Sequence, residues 1–231
     1  MSTNNLIKEF IKIPELSVIN ESLNSGKQKT KIQASIPVIP LLISGIWQKQ
    51  SGKILVIVPD EDEARDLAEK LKFWNDDRDN IFHYPNNDSL AYQLGDADNE
   101  ATHQRIAALF PRRSKKPQTI VVASIDAVLQ KTIFPELLFE SMNLIEIHDD
   151  FSQKKQLEQW TKIGYEYQPF VKNPGEYSIR GGIIDVFPIG SATPYRVELW
   201  GECVESIRTF DQETQRSIQE KTFLIVPPAT E

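Results

Sequence analysis

Hydrophobic and polar positions follow two different rhythms along this chain, and the change of rhythm divides it. Leu6, Ile7, Phe10 and Ile11 recur at helical spacing, so the segment up to about Leu23 reads as a short amphipathic helix leading into the body. Asn24 to Lys31 is small and basic, a loop. Lys31 to Ile36 reads as a strand and Pro37 to Gln50 as a helix, because proline is tolerated in a first turn, where its missing N–H costs nothing. Lys53 to Pro59 is a continuous β-branched run ending at proline, the pattern of a parallel strand covered on both faces. Asp60 to Trp74 then places acidic residues at its start and Ala64, Leu67, Ala68 and Leu71 on one face, an amphipathic helix. The order repeats: strand Asn80 to Tyr84, polar loop to about Asn99, helix Ala101 to Phe110, strand Thr119 to Ala123 and helix Ile125 to Lys131. Strands alternating with helices predict a mostly parallel, doubly wound sheet.

From about Asn143 the apolar runs shorten. Leu144 to Ile147 reads as a strand and Ser152 to Ile163 as a polar helix with Leu157 and Trp160 inward. Short strands follow at Tyr177 to Ile179, Gly182 to Phe187, Tyr195 to Trp200, Val204 to Phe210 and Arg216 to Ile218, separated by Gly, Pro, Asn and Asp turns. This predicts an antiparallel meander. The boundary falls near Lys131 to Glu140, where Pro135 interrupts the pattern.

Composition narrows the classes open to such a chain. With 231 residues, 40% of them hydrophobic, it has room for two small cores. A net charge of −7 leaves no global positive field for wrapping nucleic acid. The single cysteine, Cys203, cannot form an internal disulfide, which fits a reducing compartment. Lys8, Glu9 and Lys12 interrupt any signal-peptide core, and Ile32 to Gln48, the longest uncharged stretch, is broken by Pro37 and Pro40. A cytoplasmic chain with no membrane partner is expected.

Candidate chemistry is sparse. Ser25 to Thr30 contains a Gly-Lys pair, but Gln28 follows Lys27 where a phosphate loop needs Ser or Thr, and Glu21 stands where it needs its first glycine. The junction from Ala34 to Pro40, where such a loop would sit, has neither glycine nor lysine, and its two prolines remove N–H donors. His83, His103 and His148 share no spacing, and Asp149-Asp150 reads as a helix-start loop rather than a metal-nucleotide acidic pair. Asp185 lies in an apolar strand whose alternation turns it toward solvent, a structural position rather than a lone base. Arg112 to Lys116 carries four charges in five residues, read as a solvated loop in preference to a phosphate or acidic-partner contact.

Gly175 to Pro188, then Pro194 to Trp200 and Val204 to Asp211, resemble the hallmark shared by the excision-repair protein UvrB and the transcription-repair coupling factor (Mfd) family. Tyr84-Pro85 through Tyr92 and Arg105 to Lys131 resemble the coupling factors' first domain, so the likeness spans most of the chain. The empty phosphate junction, and a short polar stretch where UvrB has a long DNA-threading hairpin, favour the coupling factors. The resemblance implies an α/β fold class: a degenerate, P-loop-less RecA-like parallel-sheet domain over residues 1–135, then a smaller α+β antiparallel-meander domain like UvrB domain 2 over 136–222, with 223–231 starting a return to the first. It implies no enzyme activity and no cofactor or metal in this region, with the ATP-dependent translocase motor in later domains. It implies a partner, UvrA, bound through the second domain, with RNA polymerase and DNA bound farther along and an intramolecular contact to the C-terminal region.

The family's UvrA-contacting arginine corresponds to Arg180, three residues after the hallmark tyrosine, Tyr177. Gly181 and Gly182 let the chain turn and present it. Tyr177 and Phe187 either flank Arg180 at the contact or belong to the meander core with Arg180 alone exposed. A second, usually basic, position is Glu166, for which Lys172 is the candidate substitute. The expected function is a non-catalytic, UvrB-mimicking module that recruits UvrA to lesion-stalled RNA polymerase in nucleotide excision repair. The alternatives are a UvrB-type protein contacting damaged DNA directly, and a small α/β enzyme of unknown chemistry.

Overall fold

The computed structural model describes residues 3–25, 29–50, 52–87, 96–109 and 118–231. It is a mixed α/β chain that divides into two units, Met1–Asn86 with Pro111–Gln130, and Asn87–Phe110 with Lys131–Glu231. Elements are numbered in chain order.

The first unit holds helices α1 (Thr3–Phe10), α2 (Pro14–Asn24), α3 (Ile39–Lys49), α4 (Glu61–Trp74) and α6 (Ile125–Leu129), with strands β1 (Lys53–Val58), β2 (Ile81–Tyr84) and β3 (Thr119–Ser124). The strands are parallel in the order β1-β3-β2. Asp60 caps α4 by accepting the Glu63 N–H at 2.9 Å, and Glu61, Asp62 and Glu63 meet the positive end of the helix dipole. Ala64, Leu67, Ala68 and Leu71 form the buried stripe of α4, packing with Ile120, Val122 and Trp47.

Three expectations fail here. The leading helix is two helices, broken before Pro14, which starts α2. Lys31 to Ile36 forms no strand; it is irregular and mostly exposed, giving way to a 3-10 turn at Ile36–Val38 before α3 begins with Pro40 in its first turn. β1 is not covered on both faces among the described residues: it is an edge strand, with Ile54 and Val56 packed inward and Leu55 and Ile57 exposed.

The second unit is the larger of the two. It holds α5 (Asp96–Leu109), α7 (Pro135–Glu140), β4 (Asn143–Glu146), α8 (Gln153–Lys162), β5 (Glu166–Tyr167), β6 (Glu176–Arg180), β7 (Ile183–Val186), β8 (Tyr195–Trp200), β9 (Cys203–Phe210), β10 (Ser217–Lys221) and β11 (Phe223–Val226). The predicted meander is present as a six-stranded sheet in sequence order from β10 to β5, antiparallel except for the β5·β6 pair. Trp160, Tyr165, Tyr177, Ile184, Val186, Val197 and Ile207 fill its core.

Helix α5, read with the alternating half, packs in this unit: Ile106 enters the core, and fully buried Arg105 meets the Glu231 carboxylate at 3.0 and 3.1 Å and donates to the Lys131 carbonyl at 3.0 Å. Strand β11 runs antiparallel to β4 and sends Leu224 and Val226 into the same core. Among the described residues no helix is long and apolar enough to cross a membrane.

Candidate protein-docking face

The β6-β7 hairpin is closed by the Arg180·Ile183 pair across Gly181-Gly182. Gly181 sits at φ +63°, a left-handed conformation that favours glycine. A Cβ on Gly182 would lie 2.9 Å from the Leu199 carbonyl oxygen, and the Leu199 N–H donates to the Gly182 carbonyl at 2.8 Å. The turn is thus locked to the end of β8, and Arg180 projects from a fixed base.

Alternation sends Tyr177, Ile184 and Val197 to the core and Ser178, Arg180, Asp185, Arg196 and Glu198 to the opposite face. That outer face carries a connected charge lattice. Arg196 donates to Asp185 through Nε at 2.7 Å and Nη2 at 2.9 Å, reaches the Gln215 side chain at 3.0 Å, and lies over the Phe210 ring at 4.4 Å. Arg180 pairs with the same carboxylate. Glu198 accepts from Ser206 Oγ at 2.9 Å and pairs with Arg208. The hydrogen bond from Arg196 to Asp185 raises the Arg196 pKa against the effect of burial. Burial works to raise the Glu198 pKa, but hydrogen bonds from Ser206 and Arg208 prevail and hold it below the usual carboxylate value.

Asp185 is 2% exposed, so the expectation that it faces solvent is corrected. It does point away from the core. The two guanidinium groups close over it, and a buried carboxylate persists because both charges and hydrogen bonds are matched.

Arg180 is exposed, its side chain at 40%, and its guanidinium carbon lies 5.7 Å from the centre of the Phe170 ring. Tyr177 and Phe187 are 7% and 6% exposed. Tyr177 packs edge-on to Trp160 and Tyr167, each 5.9 Å away, and its hydroxyl lies 3.2 Å from Thr161 Oγ1. Tyr177 therefore supports the hairpin from its inner side; Phe187 is buried too but has the parity of Asp185, its N–H bonded to the Glu176 carbonyl at 2.9 Å, and Arg180 alone of the three is offered to solvent.

Lys172 is exposed, but its backbone N–H and that of Asn173 are bound by Glu176 at 2.7 and 2.9 Å. Glu166 pairs in register with Glu176, four residues and about 13 Å of strand from Arg180. Neither Glu166 nor Lys172 is brought beside Arg180. The side chains the sequence reading missed are Phe170 and Trp200, 59% and 80% exposed. For Trp200 the signal was present: Arg196, Glu198 and Trp200 share one parity in β8, against Val197 and Leu199.

Among the described residues the remaining candidates form no second site. His83 lies 2.8 Å from Glu61, its pKa lowered by burial against the pull of that carboxylate. His103 is similarly lowered by burial, beside Gly175. Asp149 accepts the Glu146 N–H at 2.7 Å and Asp150 bridges to Cys203, a turn leading to α8. Gly26, Lys27, Gln28, Tyr92 and Arg112 to Lys116 lie outside the described residues. Among the described residues no group of three or more His, Cys, Asp or Glu side chains is placed to hold a metal ion.

Comparison with known proteins assigns the second unit first. The model of the UvrB interaction domain matches residues 144–231. The transcription-repair-coupling factor of Bacillus subtilis is 30% identical over 227 residues, 97% of this chain and 19% of that protein. The factor of Haemophilus influenzae is 30% identical over 191 residues, 83% of this chain and 16% of its own length. That of Escherichia coli is 22% identical over 219 residues, 95% of this chain and 19% of its own length. The chain spans about a fifth of these relatives' length. A match along nearly the whole chain, with a UvrB interaction domain over most of its second unit, means that the chain belongs with the transcription-repair-coupling factors.

Proposed function

We propose that this chain is a non-catalytic, UvrB-mimicking module that docks UvrA on the outer face of its six-stranded sheet and so recruits it to lesion-stalled RNA polymerase. The observation that carries the reading is Arg180, an exposed guanidinium held on a glycine hairpin, buttressed by a buried carboxylate and backed by an aromatic ring. A preorganised arginine loses little side-chain freedom on binding, which is what a strong contact requires. Tyr177 serves this face by fixing the hairpin from below, Phe187 by filling buried space just past the end of β7, and Lys172 offers a second cation on the exposed loop before β6.

The first unit is then a RecA-like domain without its nucleotide site. The proline-bearing segment from Ala34 to Pro40 supports this, since it presents neither a glycine cradle nor a lysine for phosphate. RNA polymerase, DNA and the translocase motor belong to the four fifths of the relatives' length outside this chain, as does a C-terminal segment that masks the UvrA face.

The test is competition. A UvrB mimic and UvrB bind one site on UvrA, so unlabelled UvrB displaces the labelled chain in fluorescence anisotropy, and the chain neither retains ATP nor shifts damaged duplex DNA. A complex that UvrB fails to displace, or a gel shift by the chain alone, overturns the reading.

A further inference from the structure

Trp200 is the most exposed large apolar side chain among the described residues, at 80%. It ends β8 on the outer face, because Val197 and Leu199 pack against the core and the positions between and after them point the other way. Register fixes its distance from Arg180. Arg180 stands opposite Ile183 and Ile183 opposite Glu198, so Trp200 is two strands across and two residues along. At about 4.8 Å per strand and about 3.4 Å per residue, the two positions are ~12 Å apart. On its other side Arg180 has Phe170, also more than half exposed.

One carboxylate of this strip holds two arginines. Asp185 accepts two hydrogen bonds from Arg196 and is shared with Arg180, while Arg208 is matched by Glu198. Asp185 thus serves two guanidinium groups, and that of Arg180 is the exposed one. An exposed arginine between two exposed aromatics has the composition of a binding hot spot, where tryptophan, tyrosine and arginine dominate.

We propose that Phe170 and Trp200 are paired aromatic anchors on either side of Arg180, and that the UvrA surface they meet presents a carboxylate between two apolar clefts. This rests on the docking role proposed above and names the chemistry of the surface docked. The strip itself meets the partner; the buried aromatics Tyr177 and Phe187 do not.

The 231-residue chain and its Phe170→Ala, Trp200→Ala, Trp200→Phe, Arg180→Ala and Phe73→Ala variants are titrated against UvrA by calorimetry, with sedimentation of each chain alone. Removing Trp200 weakens binding about 30-fold and removing Phe170 about 10-fold. Trp200→Phe stays within a few-fold of the unaltered chain, and Phe73→Ala, an exposed aromatic of the first unit, leaves affinity unchanged. Because both anchors are exposed, circular dichroism is the same for all. Unchanged affinity in both anchor variants, with Arg180→Ala weakened, overturns the anchors and leaves the docking role standing. A dimer that Trp200→Ala dissolves, with UvrA affinity intact, makes a second copy the occupant and overturns the proposal. No binding by the unaltered chain overturns the docking role, and the anchors with it.

Discussion

Replacing Asp185 with asparagine removes the charge on which the outer face of the sheet is organised. The side chain keeps its size, but Arg196 loses two charge-assisted hydrogen bonds, at 2.7 and 2.9 Å, and Arg180 loses its ion pair. Breaking a buried pair by removing one partner costs about 3–5 kcal/mol, because the remaining charge is left uncompensated. Two features reduce that here. Arg196 keeps the Gln215 side chain and the Phe210 ring, and Arg180 is exposed enough for water to replace most of what it loses. The expected loss is about 2–3 kcal/mol for Asp185→Asn, and no more than about 1 kcal/mol for Arg180→Ala, which leaves the Arg196 bonds in place. Urea denaturation followed by the fluorescence of buried Trp160 reads this as a lower midpoint at unchanged slope. A double-mutant cycle with Arg196→Ala isolates the pair, with a coupling above about 1.5 kcal/mol expected. An Asp185→Asn chain within about 0.5 kcal/mol of the original, or Arg180→Ala costing as much as Asp185→Asn, refutes the lattice as described.

Further outcomes follow from local geometry. Gly182→Ala drives a methyl against the Leu199 carbonyl and loses about 1–3 kcal/mol, whereas Gly181→Ala, with open space around its Cβ, loses about 1 kcal/mol from its left-handed backbone alone; thermal unfolding ranks the two. Asp60→Ala removes the α4 cap and costs the first unit about 1 kcal/mol, read in the same assay. Tyr165→Phe orphans the buried Ile189 N–H, which donates to the Tyr165 hydroxyl at 3.1 Å, at a cost of about 1–3 kcal/mol by urea titration. His83 and His103 both titrate below the ordinary 6.5 because burial disfavours their charged forms, so as pH falls past 6.5 the unfolded chain takes up protons first. Stability is therefore full above that value and declines below it, and a His83→Asn, His103→Asn chain shows a shallower decline between pH 7 and 5.5.

What could be read from sequence was whatever local physics decides. β1 and α4 were legible because a β-branched run and an acidic, singly striped segment each admit one conformation. The meander was legible because glycine, proline and asparagine turns bound every strand but the last. Lys31 to Ile36 has strand composition, yet a strand exists only through a partner, and none pairs with it among the described residues. Pro135 was read as an interruption and instead starts α7, because the first turn of a helix needs no N–H there. β5 is two residues long, below what any periodicity can register. The assignment of α5 to the second unit depends on Ile106 and Arg105 meeting residues far along the chain, which no local pattern records.

The docking face shows the same division. Arg180 was singled out through its motif as a candidate, and its exposure agrees with the turn that Gly181 and Gly182 impose. Whether Tyr177 and Phe187 are offered to solvent beside it or buried depends on packing along the whole sheet, and both are buried, Tyr177 in the core beneath. Asp185 was placed on the correct face, but alternation reports direction rather than burial, and two arginines from neighbouring strands cover it.

The central claim is that Arg180 carries the docking of UvrA, and the most direct measurement is calorimetric titration of UvrA into the chain and its Arg180→Ala variant. The account predicts a folded variant, by circular dichroism, that binds about 30-fold more weakly. Equal affinity of the two chains for UvrA contradicts it.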